Sequence, residues 1–199
     1  MEGKQLGTWL RWLRVAAEIV YIVSLCLAVA VLVIAFIPGS PVTLGLPTSL
    51  LSGLDGVGGV APGVVVDPEG TVVFKVTDPS LGQRMLYLAT MLPGLAVIAE
   101  VARRTAKMLR AAQNSDPFTA QTARELTTVA KLTVIGGLVV WVSSAGANWV
   151  LSVSMLSSGA ATGPLQSPLG WLAVGLIFGA FAQLVGRGVA MRAELDSVI

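Results

Sequence analysis

Histidine is absent from the 199-residue chain, and cysteine occurs once, at Cys26. The first absence removes the commonest general base and the commonest metal ligand. The second excludes an internal disulfide and any cysteine-based zinc site. Cys26 lies inside an apolar run and reads as a small buried hydrophobe rather than a nucleophile. Charge is scarce as well: Asp, Glu, Lys and Arg make up 12% of the chain, about half the roughly 25% of a soluble domain. A net charge of +2 gives no electrostatic basis for direct nucleic-acid binding. What fills the chain instead is apolar, 54% before its 22 glycines are counted. One soluble core cannot absorb that much apolar surface with so few charges to cover the outside, so the composition places the chain in a bilayer.

A bilayer-crossing helix needs roughly 20 mostly apolar residues, and four stretches qualify. They are 19–37, ended by Pro38-Gly39; 81–102, in which Arg84 and Glu100 reach out to the interfaces; 132–151; and 169–186. No charge occurs between Lys131 and Arg187, and the Ser-, Gly- and Pro-rich stretch 157–167 breaks that run as an exposed loop. The first stretch has the basic leader of a signal peptide, but its apolar part is too long and no small-x-small site follows it, so it reads as an uncleaved span. The expected architecture is an all-α membrane domain of four transmembrane helices. It has an outer loop at 38–80, a cytoplasmic loop at 103–131 and a cytoplasmic tail at 187–199.

Orientation follows from Lys and Arg in the short loops. Eleven of the thirteen basic residues fall in the N-terminal segment, the 103–131 loop and the tail, leaving only Lys75 and Arg84 on the other side. Both termini and the middle loop are therefore expected in the cytoplasm.

The outer loop has a fold pattern of its own. Val64–Val66, then Asp67-Pro68-Glu69-Gly70, then Thr71–Val76 reads as a β-hairpin around a type I turn. Val72, Phe74 and Val76 would share one face, and Val73, Lys75 and Thr77 the other. The hairpin would cap the helix ends or sense a ligand. The preceding 53–63 stretch holds five glycines without the order or lysine of a phosphate-binding loop.

On the cytoplasmic side, Arg103, Arg104, Lys107 and Arg110 continue the second helix. Arg103, Lys107 and Arg110 share a face, and Glu100 can pair with Arg104 at i,i+4. These residues either fix topology or bind anionic lipid. Asp116 is a good N-cap and Pro117 suits the first helical position, so a helix is expected to start there. It would place Phe118 at the inner membrane surface and run through Arg124 into the third span. The tail continues the fourth helix through Glu194 and Asp196.

Asp116-Pro117-Phe118-Thr119 followed by Ala123-Arg124-Glu125-Leu126, with the tail residues Arg187-Gly188, Glu194, Asp196 and Val198, resembles the bacterial domain-of-unknown-function 2975 family. Thr122 and Ser197 depart from that pattern, standing near where Asn and Thr are common. The resemblance implies four spans over nearly the whole chain. It implies no established activity. It also implies a partner, because such proteins are often encoded beside a small helix-turn-helix regulator.

No span centre holds an acid or base. Glu18 and Glu100 lie at inner ends as interfacial ion pairs, Glu18 one turn from Arg14. In the third span Gly137, Ser144 and Asn148 share a face, and in the fourth Gly175 and Gly179 form a GxxxG. These small and polar residues serve helix packing, within one chain or in a homo-oligomer. Pro93-Gly94 frees the Ala89 carbonyl and is expected to kink the second helix.

Three function classes can be weighed on these residues. No catalytic dyad or metal motif can be assembled from the spans, so neither catalysis nor a cofactor is expected. A transporter or channel subunit is the alternative, although midplane charges and broken helices are missing. The polar residues cluster on the cytoplasmic side. That distribution favours a non-catalytic partner that binds or sequesters a small DNA-binding regulator at the bacterial plasma membrane.

Overall fold

The computed structural model describes residues 2–47, 71–114, 119–155 and 167–196. Four long helices dominate: α1 (Glu2–Phe36), α2 (Leu81–Asn114), α3 (Ala120–Met155) and α4 (Leu169–Asp196). Two strands, β1 (Val42–Pro47) and β2 (Thr71–Val76), form a small antiparallel sheet. Each helix contains a stretch long and apolar enough to cross a bilayer: Thr8–Phe36, Leu81–Gln113, Ala120–Ser154 and Leu169–Arg192. The chain is a multi-pass membrane protein. Helices of 28 to 36 residues are about 42–54 Å long, against a hydrocarbon layer of about 30 Å. They therefore run past the charge-free stretches that mark the spans. The connecting segment 103–131 is mostly helix, as its spacing led one to expect: α2 continues to Asn114 and α3 has begun by Ala120.

Exposure follows the solvent that surrounds each helix. Along α1, Ile22, Leu25, Val29, Leu32 and Ile34 are all exposed, as are Leu176, Ile177, Phe181 and Leu184 of α4. Such surface is a liability in water and suits acyl chains. Cys26 belongs to it: the thiol is exposed rather than buried, because α1 turns most of its apolar residues outward. By contrast, a third of the α3 span is buried against about a tenth of the α1 and α4 spans. Val129, Thr133, Leu151 and Ser152 of α3 are almost fully enclosed. The two buried hydroxyls bond to their own helix, Thr133 to the Val129 carbonyl at 2.8 Å and Ser152 to that of Trp149 at 2.7 Å. Each of these two hydroxyls thus has a partner without water.

The chain divides into two compact units. One comprises Met1–Val29, Pro93–Val140 and Pro168–Ile199, the other Ala30–Leu92 and Trp141–Ser167. In the first unit, the sequence order of touching residues sets the helix directions. Arg14 bonds Gln113 and Glu18 bonds Arg110, so α2 descends as α1 rises. Gly136 faces Val97 and Gly94 faces Val140, so α3 is antiparallel to α2. Gly137 lies against Trp171, Gly175 against Val134 and Gly179 nearest Ala130, so α4 is antiparallel to α3. The short α2–α3 connection agrees with this up-and-down order. Helix α2 stays α-helical through Pro93.

In the second unit, α1 ends at Phe36 and the chain turns at once. The Ser40 N–H donates to the Ile37 carbonyl at 3.2 Å, with Pro38 second and Gly39 third at φ +78°. That is a type II turn, and its third position needs glycine. The turn feeds β1, which pairs with β2 in the register Val42↔Val76, Leu44↔Phe74 and Pro47↔Thr71. The expected alternation in β2 holds: Val73 and Lys75 are exposed, Phe74 and Val76 half-buried, and Val42 and Leu44 opposite them are buried. Its described partner is β1. The segment 64–66 and the Asp67–Gly70 turn lie outside the described residues. The alternation Val42, Leu44, Leu46 is the pattern that marks β1 in the sequence.

Helix α2 starts with a reciprocal cap. The Gln83 N–H donates to the Ser80 hydroxyl at 3.3 Å, and the Ser80 N–H donates to the Gln83 side-chain carbonyl at 3.0 Å. This Ser-x-x-Gln capping box satisfies two otherwise orphaned donors. Ser80→Ala is expected to cost about 1 kcal/mol of thermal stability, while Ser80→Asp retains most of it. Comparing unfolding midpoints in detergent checks this.

Candidate functional site

The charged side chains gather where α2 leaves its apolar stretch and α3 enters its own. Glu100 lies on the last turn of the α2 apolar segment and holds two guanidinium groups. Arg103 grips it with both Nε and Nη2, each at 2.8 Å, and Arg104 donates its Nε at 2.7 Å. The i,i+4 pair with Arg104 is the one expected from spacing, and the fork with Arg103 is added by the i+3 neighbour. Arg104 keeps its terminal nitrogens unused among the described residues.

A second cluster ties α1 to α2. Glu18 accepts from Arg110 at 2.9 Å and makes a charge contact with Arg14 at 3.2 Å, while Arg14 donates to the Gln113 side-chain carbonyl at 2.9 Å. The Arg14–Glu18 contact is not aligned as a hydrogen bond: Arg14 Nε, like Gln113 Nε2, is buried with no hydrogen-bond partner among the described residues. The face that Arg103, Lys107 and Arg110 were expected to share is thus divided. Arg110 turns to α1, and Arg103 and Lys107 remain with α3. Spacing along α2 could not show this, because Glu18 is 92 residues away in the chain.

Between α2 and α3 an open cleft of about 190 Å³ is lined by Arg103, Arg104, Lys107, Met108 and Ala111 on one wall, and by Gln121 and Glu125 on the other. Lys107 is exposed and has no charged partner among the described residues. Glu125 is half-buried and likewise has none. The α3 side of the cleft is set by a local cap. The Thr122 N–H donates to the Thr119 hydroxyl at 3.2 Å, so Thr119 is the N-cap and the helix starts at Ala120. This corrects the expected start at Asp116-Pro117. Three residues further on, Thr119 satisfies the same backbone donor type that Asp116 would have taken.

The remaining predicted residues are dispersed. Arg124 is exposed on α3 beyond the cleft. Pro117 and Phe118 lie outside the described residues. Glu194 is exposed near the end of α4, and Asp196 is the last residue of that helix. Among the described residues, no three His, Cys, Asp or Glu side chains are grouped for metal binding.

With this geometry described, comparison with known proteins adds one result. A family model described as "Protein of unknown function (DUF2975)" matches residues 71–199. The chain belongs to this family. It matches no curated protein and no solved structure. The DUF2975 match covers β2, α2, α3 and α4, so the cleft and both of its walls lie within it.

Of the packing glycines read in this DUF2975 chain, Gly137 and Gly175 are each enclosed against a neighbouring helix. Gly175 is buried, with no room for a Cβ beside Val134, and Gly179 is closest to Ala130. Ser144 bonds to the Trp141 carbonyl of its own helix at 3.1 Å and does not reach across to another. Asn148 is half-buried and makes no hydrogen bond among the described residues.

Proposed function

We propose that this DUF2975 protein is a non-catalytic membrane partner. In this reading it holds a small helix-turn-helix regulator at the bacterial plasma membrane, with both termini in the cytoplasm. The observation that carries the proposal is the position of the exposed polar side chains. Arg103, Lys107 and Arg124 are exposed at the end where α2 leaves its apolar stretch and α3 enters its own, while the exposed surface along the α1 and α4 spans is largely apolar. Eleven of thirteen basic residues fall on that same side of the spans, which by the positive-inside rule faces the cytosol. A protein with most of its basic side chains on the cytosolic side is suited to docking a soluble partner there. The kind of partner comes from the family resemblance.

Photo-crosslinkers placed at Phe118 and Arg124 in intact cells test this. The expected product is a small DNA-binding protein that also binds the purified membrane protein directly. Recovery of lipid and self-adducts alone would refute the proposal. Solute or ion flux through reconstituted vesicles would favour a transporter subunit instead. A fluorescent reporter fused after Ile199 is expected to be active, and an alkaline phosphatase fusion at the same place inactive.

A further inference from the structure

We propose that the α2–α3 cleft binds the headgroup of an anionic phospholipid, specifically a monoanionic phosphodiester that carries free hydroxyl groups. The proposal does not depend on a protein partner. Three observations converge on it: the chemistry of the two walls, the cleft's size and its depth.

The α2 wall supplies donors. Among the described residues, Lys107 has all its ammonium protons unused, and Arg104 uses one of its five N–H donors, on Glu100. Glu100 holds Arg103 and Arg104 side by side, so the two guanidinium groups are positioned before any ligand arrives. A phosphate oxygen suits such donors. The α3 wall supplies acceptors, the Glu125 carboxylate and the Gln121 amide carbonyl. The opposing carboxylate makes a bare phosphate a poor fit and favours a ligand with its own donors beyond the phosphate. With Glu100 and Glu125 set against Arg103, Arg104 and Lys107, one net positive charge remains. That charge matches a single phosphodiester. A phosphoglycerol headgroup meets both requirements. Phosphocholine offers neither a net negative charge nor a hydroxyl.

Size and depth point to a lipid rather than a free metabolite. The cleft, at about 190 Å³, is smaller than the roughly 300–1,000 Å³ pockets that enclose whole small ligands. It suits a headgroup whose tails remain in the bilayer. From Ala99, the end of the charge-free core of α2, Arg103 is about 6 Å and Lys107 about 12 Å along the axis. The headgroup layer begins at that level.

Native mass spectrometry of the detergent-purified full chain, with phosphatidylglycerol, phosphatidylethanol and phosphatidylcholine added in turn, tests the assignment. Phosphatidylglycerol is expected to be retained best. Lys107→Gln should reduce its retention about fivefold, and Lys107→Gln with Arg104→Gln about 25-fold, at about fivefold per basic residue. Arg11→Gln, an exposed basic site outside the cleft, should change nothing. Glu125→Gln should narrow the preference for phosphatidylglycerol over phosphatidylethanol, which has the same charge and no headgroup hydroxyl. Lys107 and Glu125 make no ion pair among the described residues, so their substitution leaves the helix contacts intact, and circular dichroism verifies this. Equal retention of phosphatidylglycerol and phosphatidylcholine would overturn the site. Equal retention of phosphatidylglycerol and phosphatidylethanol would overturn the hydroxyl requirement. Displacement of the lipid by soluble glycerol phosphate at matched concentration would overturn the lipid source in favour of a soluble phosphodiester or phosphomonoester.

Discussion

Replacing Gly175 with leucine is expected to lower the thermal unfolding midpoint more than any other single change on α4. A Cβ at this position would overlap the Val134 side chain, and the backbone stands close behind it, with the Ala130 carbonyl at 3.3 Å and the Val134 nitrogen at 3.5 Å. A side chain can rotate away, but those backbone atoms can be avoided only by moving the helix. Overpacking of this kind costs about 1–3 kcal/mol, and the backbone atoms behind Val134 put Gly175→Leu at the upper end. The effect matters more in lipid than in water, because close packing, rather than a hydrophobic drive, holds transmembrane helices together. Gly179→Ala provides the contrast: its nearest neighbour is the Ala130 Cβ at 4.0 Å, so a methyl group fits. Combining Gly175→Ala with Val134→Ala is expected to recover part of the loss of Gly175→Ala alone, since the overlapping atom is removed. Indistinguishable midpoints for Gly175→Leu and Gly179→Ala would show that α3 and α4 do not pack at this point.

The second large effect is expected at Arg84. This residue was read in the sequence only as a charge reaching the interface. Its Nη1 donates to the Ala35 carbonyl at 2.6 Å and to the Ile37 carbonyl at 3.2 Å, and its Nε donates to the Pro79 carbonyl at 3.3 Å. The guanidinium thus closes the C-terminal end of α1, whose last carbonyls lack intrahelical partners, and complements the negative end of the helix dipole. Hydrogen bonds to a charged group contribute about 1.5–3 kcal/mol each. With partial resolvation at the membrane surface, Arg84→Ala is expected to cost about 3 kcal/mol in all. Arg84→Lys should recover only a fraction, because one ammonium on a flexible stem cannot reproduce the planar fork that spans the carbonyls. Hydrogen exchange at the Ser40 amide, which closes the type II turn, reports the local effect and should accelerate in Arg84→Ala before global unfolding. Unchanged exchange there would mean that the turn is held without Arg84.

Several features were legible because they are local. The end of α1 at Pro38-Gly39, the alternation of β2 and the Glu100–Arg104 pair all depend on residues within a turn or two of one another. The same local logic missed or misplaced other features. Val42–Pro47, the described partner of β2, lies across 23 intervening residues, a pairing that local turn patterns do not reveal. Cys26 was taken as buried because its neighbours are apolar. In a membrane protein, apolar neighbours mark the lipid-facing surface as readily as the interior. Arg110 looked equivalent to Lys107 along α2 until α1 placed Glu18 beside it. Glu125, named in the sequence only as part of a motif, becomes significant as the carboxylate opposite Lys107 across the cleft.

The sequence by itself determined that this chain crosses a membrane with four long helices, and where along those helices the charges fall. Transfer of a segment into hydrocarbon is close to a sum over its own residues, so composition and run length suffice to read it. Tertiary structure alone decided which glycines are jammed against a neighbour, which arginine caps α1, and that Glu18 of α1 holds Arg110 while Lys107 is left open among the described residues. Those outcomes are set by pairs of residues distant in the chain, and a pair has no energy until the helices that carry it have met.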